Sequence, residues 1–261
     1  MKEIGYALII AALLLGLTFC TKQGQSPVQT NDTSAIQVVS RVRDFAEAKK
    51  LADKIFQDHR QTFYCGCDYD KHHTVDPSGC GYRPRKNAQR GERVEWEHIV
   101  PAHAFGNSRP CWREPLCQRD GNSYKGRKCC EEIDPIFRSM EGDLHNLVPA
   151  VGELNADRGN RSYGMVPGKG GAYGACPFKV DFDSDLVEPR PEVRGDIART
   201  YFYFEKSYRL PISDKQRKLF EAWAKTDPVD AWERERNKRI KALQGNGNPF
   251  VEAADGGGAP Q

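Results

Sequence analysis

Glu97 and His98, neighbours in the run RVEWEHIVPA (93–102), are the first residues whose types suggest chemistry. An imidazole titrates close to neutral pH and can take a proton from water. A carboxylate stands next to it in the chain. An extended strand, however, sends neighbouring side chains to opposite faces. Val94, Trp96, His98 and Val100 then share the face expected to be buried, while Arg93, Glu95 and Glu97 share the other. Both groups reach one reacting atom only if the strand twists or ends there, and Pro101 offers the stop. The stretch is either a half-buried edge strand or the lip of a catalytic site.

Two further clusters have ligand-like composition. In GDLHNLVPAVGELNADRGN (142–160), Asp143, His145, Asn146, Glu153, Asn155 and Asp157 crowd around a helix start. They are either capping residues or a source of oxygen donors for a hard metal. Cys65 and Cys67 of CGC, with His72, His73 and Cys80, can be written as a zinc site. In an oxidising compartment the same thiols form disulfides instead. The Gly-rich YGMVPGKGGAYGAC (163–176) lacks the strand–helix setting and Lys-Ser/Thr pair of a phosphate-binding loop.

The elements that must position these residues follow from pattern. IGYALIIAALLLGLTF is an apolar run too short to span a membrane, and residues 1–19 read as an export signal. LTFC, ending at Cys20, resembles a bacterial lipid-attachment box, so Cys20 is a candidate anchor. Residues 20–37 form a polar spacer. Setting Cys20 aside leaves Cys65, 67, 80, 111, 117, 129, 130 and 176, enough for four disulfides, which the count alone cannot pair. Adjacent Cys129 and Cys130 are expected to take different partners. Helices are expected over 41–59, 132–144 (after Asp134-Pro135), from Pro149 toward Gly159, and over 192–208, 213–226 and 228–243. Residues 105–126 read as a long disulfide-pinned loop. The fold domain covers 38–251, and 252–261 reads as a disordered tail.

The net charge of +3 is too small to specify a polyanionic partner, but its distribution is uneven. Between Tyr82 and Cys130 stand eleven Arg or Lys against five acids. Such a patch around Glu97-His98 attracts phosphates, although a charge-rich solvated surface would look the same.

EWEHIVPAHAFG, YKGRKCC, GDLHNLVPAVGELNADRGN, RGDIARTYFYF and NKRIKALQGNGNPFV occur in that order. Together, over residues 38–251, they resemble the bacterial endonuclease I family of periplasmic and secreted nucleases. The resemblance implies an α+β fold: a ββα-metal core, in which a β-hairpin with a catalytic histidine faces a helix offering a metal-binding asparagine. That core is embedded in a helix-rich, disulfide-stabilised single domain. Carried over by residue, His98 falls on the general base, Glu97 and Asn146 on the magnesium ligands, and Arg127 on the phosphate-contacting arginine. The implied activity is Mg²⁺-dependent, sequence-non-specific hydrolysis of DNA, and of RNA, to 5′-phosphate products by an exported monomer. The rate is expected to rise as His98 deprotonates, and a thiol reductant to lower activity if disulfides hold the loops around Arg127. The competing reading from another class is a disulfide-rich surface lipoprotein that binds nucleic acid without cutting it.

Overall fold

The computed structural model describes residues 40–168 and 170–255. The export segment, Cys20 and the spacer expected to follow it lie outside the described residues, as do residues 256–261. Helix α1 (Phe45–Ile55) opens the described chain; Asp44 caps it by accepting from the Glu47 N–H, and Ala48, Ala52 and Ile55 face the core. A cysteine-rich loop leads to α2 (Ala88–Gly91), strand β1 (Val94–His98), and the short helices α3 (Ala102–Gly106) and α4 (Pro110–Arg113). The hairpin β2 (Cys117–Arg119) and β3 (Asn122–Tyr124) precedes α5 (Arg127–Ile133) and α6 (Pro135–Glu141). Strand β4 (Leu147–Val151) then runs directly into α7 (Gly152–Arg158). A small sheet of β5 (Ser162–Tyr163), β7 (Leu186–Glu188) and β6 (Lys179–Asp181) follows, with β7 in its centre. The chain closes with α8 (Arg194–Tyr208), α9 (Asp214–Thr226), α10 (Ala231–Gln244) and α11 (Pro249–Glu252).

The central unit is antiparallel β1–β4, with Val94 opposite Val151 and His98 opposite Leu147. Because β4 feeds α7 without a loop, two strands and one helix form a ββα unit. The helix expected from Pro149 instead begins at Gly152. Leu147, Val148, Pro149, Ala150 and Val151 are all buried, and a short apolar run closed in on both faces is strand-like. Pro149 sits opposite Trp96, and its carbonyl accepts from the Phe63 N–H at 2.7 Å. Its missing donor is tolerated in a sheet of only two strands.

The expected helix over 132–144 resolves into α5 and α6, broken at Asp134-Pro135. Asp134 caps α6 by accepting from Ile136 and Phe137 N–H groups, and Pro135 takes the first helical position. The expected loop over 105–126 contains α4 and the β2–β3 hairpin. Order continues beyond 251: α11 ends at Glu252 and a 3₁₀ turn covers Ala253–Asp255.

Four disulfides account for the eight cysteines: Cys65–Cys176, Cys67–Cys80, Cys111–Cys130 and Cys117–Cys129. The zinc reading of Cys65, Cys67 and Cys80 is thereby excluded, since none keeps a free thiolate. Cys129 and Cys130, both on α5, tie that helix to two points upstream. Cys65–Cys176 spans 111 residues, a closure worth about 4.7 kcal/mol in the chain-entropy model. Among the described residues no helix is long and apolar enough to cross a membrane.

Candidate active site

Alongside β1, α1 and α7 lies a cavity of about 650 Å³. Glu97, His98 and Arg127 all line it, with Glu95, Asn155 and Arg158. The expected alternation along β1 fails at its end: Glu97 and His98 are both buried, 3% and 7% exposed, whereas Trp96 is only half-buried. Arg158, fully buried on α7, accompanies the break. Its guanidinium donates to the carbonyls of His98 and Ile99, each at 2.6 Å. Consecutive carbonyls of an extended strand point in opposite directions, so one side chain collects both only where the strand has stopped. The same guanidinium donates to Glu97 Oε1 at 2.9 Å.

The Tyr64 hydroxyl also donates to Glu97 Oε1, at 2.7 Å, and lies 2.8 Å from the Tyr163 hydroxyl. Both partners engage one carboxylate oxygen, Oε1. Burial pushes the Glu97 carboxyl above its ordinary range, opposed by Arg158 and Tyr64.

The His98 Nε2 lies 2.8 Å from the backbone carbonyl of Glu141. A carbonyl only accepts, so Nε2 carries the hydrogen and Nδ1 is the basic nitrogen. The Phe45 ring packs on the imidazole, centroids 4.8 Å apart. Burial, then the positive charges of Arg127 and Arg158, lower the His98 pKa to about 3. The deprotonation that should raise the rate therefore lies far on the acid side, and the imidazole is neutral at working pH.

Arg127 opens α5, where both flanking disulfides fix the helix. Its Nε donates to the Glu141 carboxylate at 2.5 Å, and its guanidinium carbon lies 5.4 Å from the centroid of Phe45. Glu141 thus holds His98 through its backbone and Arg127 through its side chain. Burial pushes the Glu141 carboxyl up to about 7 despite Arg127.

A buried neutral imidazole, a carboxylate and a guanidinium around one cavity can activate water and hold a phosphodiester. Relatives match the sequence over much of the chain. The Endonuclease I family model matches residues 29–255. The chain belongs to the endonuclease I family. It is, with that family, an endonuclease. A periplasmic deoxyribonuclease from Aeromonas hydrophila is 43% identical over 256 residues, covering 97% of this chain and 98% of the relative. An extracellular deoxyribonuclease from the same organism is 46% identical over 212 residues, 80% of this chain and 88% of the relative. An extracellular ribonuclease from Bacillus subtilis (strain 168) is 36% identical over 129 residues, 42% of this chain and 43% of the relative.

The endonuclease I resemblance assigned the amide ligand to Asn146, and the structure does not bring that residue to the cavity. Asn146 is fully buried ahead of β4; its Oδ1 accepts from Val100 N–H at 2.7 Å and its Nδ2 donates to Val100 carbonyl at 2.9 Å. Both ends of the amide are spent bracing the turn after β1. The asparagine that does line the cavity is Asn155, on α7 itself, three residues before Arg158 and so on the same face. Its signal in the sequence was the family's asparagine on a helix, since the helix expected from Pro149 toward Gly159 already contained Asn155 and not Asn146.

The rest of that polar cluster is structural. Asp143 accepts from the hydroxyls of Tyr203 and Tyr208, at 2.7 and 2.6 Å. Glu153 accepts from Tyr82 and from the backbone N–H groups of Arg85, Lys86 and Asn87. Asp157 pairs with Arg85 and Tyr173, and His145 lies 3.0 Å from the Asn246 carbonyl. Sequence reasoning also missed Arg158, whose partners are distant in the chain.

Proposed function

We propose that this endonuclease hydrolyses phosphodiester bonds of DNA, and of RNA, with little sequence preference, using a magnesium ion and leaving 5′-phosphates. The observation carrying the reading is the single cavity that gathers a neutral His98 with a free Nδ1, a carboxylate, an amide and Arg127. His98 Nδ1 takes the proton from water, and the oxygen attacks phosphorus in line with the leaving 3′-oxygen. Arg127 exchanges its Glu141 contact for a charge-assisted bond to a phosphate oxygen. Phe45 and the Glu141 carbonyl hold the imidazole in place throughout.

The donors present fit magnesium. The Glu97 carboxylate and Asn155 Oδ1 offer hard oxygens. Among the described residues no group of three or more His, Cys, Asp or Glu side chains could hold a metal. This suits an ion that keeps waters and binds substrate phosphate rather than a closed protein cage. When bound, the ion would neutralise charge growing on the phosphate and leaving oxygen. Glu97 and Asn155 therefore replace Glu97 and Asn146 as the proposed ligand pair.

Arginine contacts to phosphate orient nucleic acid without reading bases, and the ribonuclease relative supports activity on RNA. The names of the deoxyribonuclease relatives, with four disulfides, support export to an oxidising compartment. On this reading the chain acts as a monomer, directed out by residues 1–19 to the periplasm or the medium, with Cys20 a candidate lipid anchor. The intact mass of membrane-extracted mature protein tests the anchor: diacylglyceryl and acyl additions support it, and unmodified Cys20 contradicts it. The catalytic reading is tested by sequencing ends from supercoiled DNA and single-stranded RNA digests with Mg²⁺ and with EDTA. Metal-dependent cutting at scattered sites with 5′-phosphate ends is expected; binding without cutting would favour the lipoprotein reading.

A further inference from the structure

Glu95 is a second carboxylate in the catalytic cavity, two residues from Glu97, and the mechanism above leaves it unused. It is unsuited to hold a cation directly, because Arg90 and Arg93 both donate to it, Arg90 Nε at 3.0 Å and Arg93 Nη2 at 2.9 Å. Its remaining contact is to Asn155, whose Nδ2 donates to Glu95 Oε2 at 3.0 Å. A carboxylate only accepts, so this contact decides which end of the planar amide faces Glu95 and turns Oδ1 away from it. The backbone is built to permit the approach. A Cβ on Gly152, the first residue of α7, would stand 3.0 Å from Glu95 Cδ and 2.6 Å from the Arg90 carbonyl oxygen. The Gly152 N–H also donates to the Arg93 carbonyl at 2.9 Å, docking α7 on the segment that carries both arginines.

We propose that Glu95 is a positioning residue: braced by Arg90 and Arg93, it holds the Asn155 amide with Oδ1 presented to the divalent cation. The inference rests on the reading of Asn155 as a metal ligand. Partners of this kind orient the ligand itself, and their loss commonly costs 10- to 100-fold in metal affinity. The two arginines more than offset the charge of Glu95, so its role is directional.

The test is a titration of the metal-free, oxidised protein with Mn²⁺ alone, reading free ion by electron paramagnetic resonance. Mn²⁺ stands in for Mg²⁺ at oxygen donors. Wild type, Glu95→Ala, Glu95→Gln, Asn155→Ala and the Glu95→Ala/Asn155→Ala pair are compared. Glu95→Ala should weaken binding about 10-fold. Glu95→Gln, which keeps an acceptor for Nδ2 and the shape of the side chain, should stay within about threefold of wild type. The double variant should bind no more weakly than Asn155→Ala, because an amide that is gone cannot be misoriented. The proposal is overturned if Glu95→Ala binds like wild type, if Glu95→Gln falls as far as Glu95→Ala, or if Glu95→Ala adds its full loss on top of Asn155→Ala. Wild-type affinity in Asn155→Ala would instead remove the ligand reading and the proposal together, a pattern distinct from the other three.

Discussion

Replacing Arg158 with Met removes the residue that joins the end of β1 to α7. The guanidinium makes three hydrogen bonds, to Glu97 Oε1, His98 O and Ile99 O, from a fully buried position. Methionine fills part of the volume but takes the guanidinium from two carbonyls and leaves the buried Glu97 carboxylate with only the Tyr64 hydroxyl on Oε1 and no compensating charge. Stripping one partner from a buried ion pair costs about 3–5 kcal/mol, a large share of a typical total near 5–15 kcal/mol. With a urea slope of about 2–3 kcal/mol/M for a protein of this size, the midpoint should fall by roughly 1–2.5 M. Urea unfolding of the oxidised protein measures it, with tryptophan fluorescence and far-UV dichroism as independent probes. Arg161→Met is the control. That side chain is half-buried, donates to the Asp157 carbonyl at 2.9 Å, pairs loosely with exposed Asp185 at 3.5 Å and lies 4.8 Å from the centroid of exposed Phe182; its loss should be under about 1.5 kcal/mol. Adding Glu97→Gln should recover at least about 1 kcal/mol of the Arg158→Met loss, because the uncompensated charge disappears. An Arg158→Met protein within 1 kcal/mol of wild type, or losses that simply add, would refute the clamp.

Three other outcomes follow from named contacts. Asn146→Ala should cost about 2–4 kcal/mol by orphaning the Val100 N–H and carbonyl, whereas Asn155→Ala should cost under about 1 kcal/mol yet abolish most nicking; thermal melts beside activity assays separate the two, and the reverse pattern would restore Asn146 as the ligand. Reduction should lower activity by freeing α5 and Arg127: Cys117→Ala/Cys129→Ala opens a closure worth about 3 kcal/mol and should lose more turnover than Cys67→Ala/Cys80→Ala, with equal turnover in the fully reduced protein contradicting it. Burial holds the His145 pKa below its ordinary value, so the folded state stays neutral while the unfolded chain takes a proton. That stability is present above about pH 6.5 and is lost as pH falls below it; urea midpoints at pH 7.5 and 5 should converge in His145→Gln relative to wild type, and unchanged pH dependence would sink the assignment.

Sequence pattern made the long helices legible because each carries its own instructions. Asp44, Ser213 and Asp230 cap α1, α9 and α10 where the apolar spacing begins. His98, Glu97 and Arg127 were legible through the family's ordered motifs, and the cavity joins them. The boundary of β4 was not, because Pro149 is equally at home at a helix start and in a two-stranded sheet, and only pairing with Trp96 decides between them. The helix expected from Pro149 already contained Asn155, so the assignment of the amide to Asn146 came from the motif carry-over and not from that boundary. Arg158 was invisible for a different reason: a buried arginine is explained by carbonyls some sixty positions away, and no local pattern encodes them. Disulfide pairing likewise depends on which loops meet, although the different partners of Cys129 and Cys130 followed from their adjacency.

The most direct test is supercoiled-plasmid nicking by oxidised mature protein, with Mg²⁺ and with EDTA, beside His98→Ala purified identically. Loss of one general base typically costs 10²- to 10⁴-fold, so Mg²⁺-dependent nicking should collapse by at least about 100-fold in a variant that still binds DNA. Equal cutting by both proteins would contradict His98 as the base, and cutting that persists in EDTA would contradict the metal.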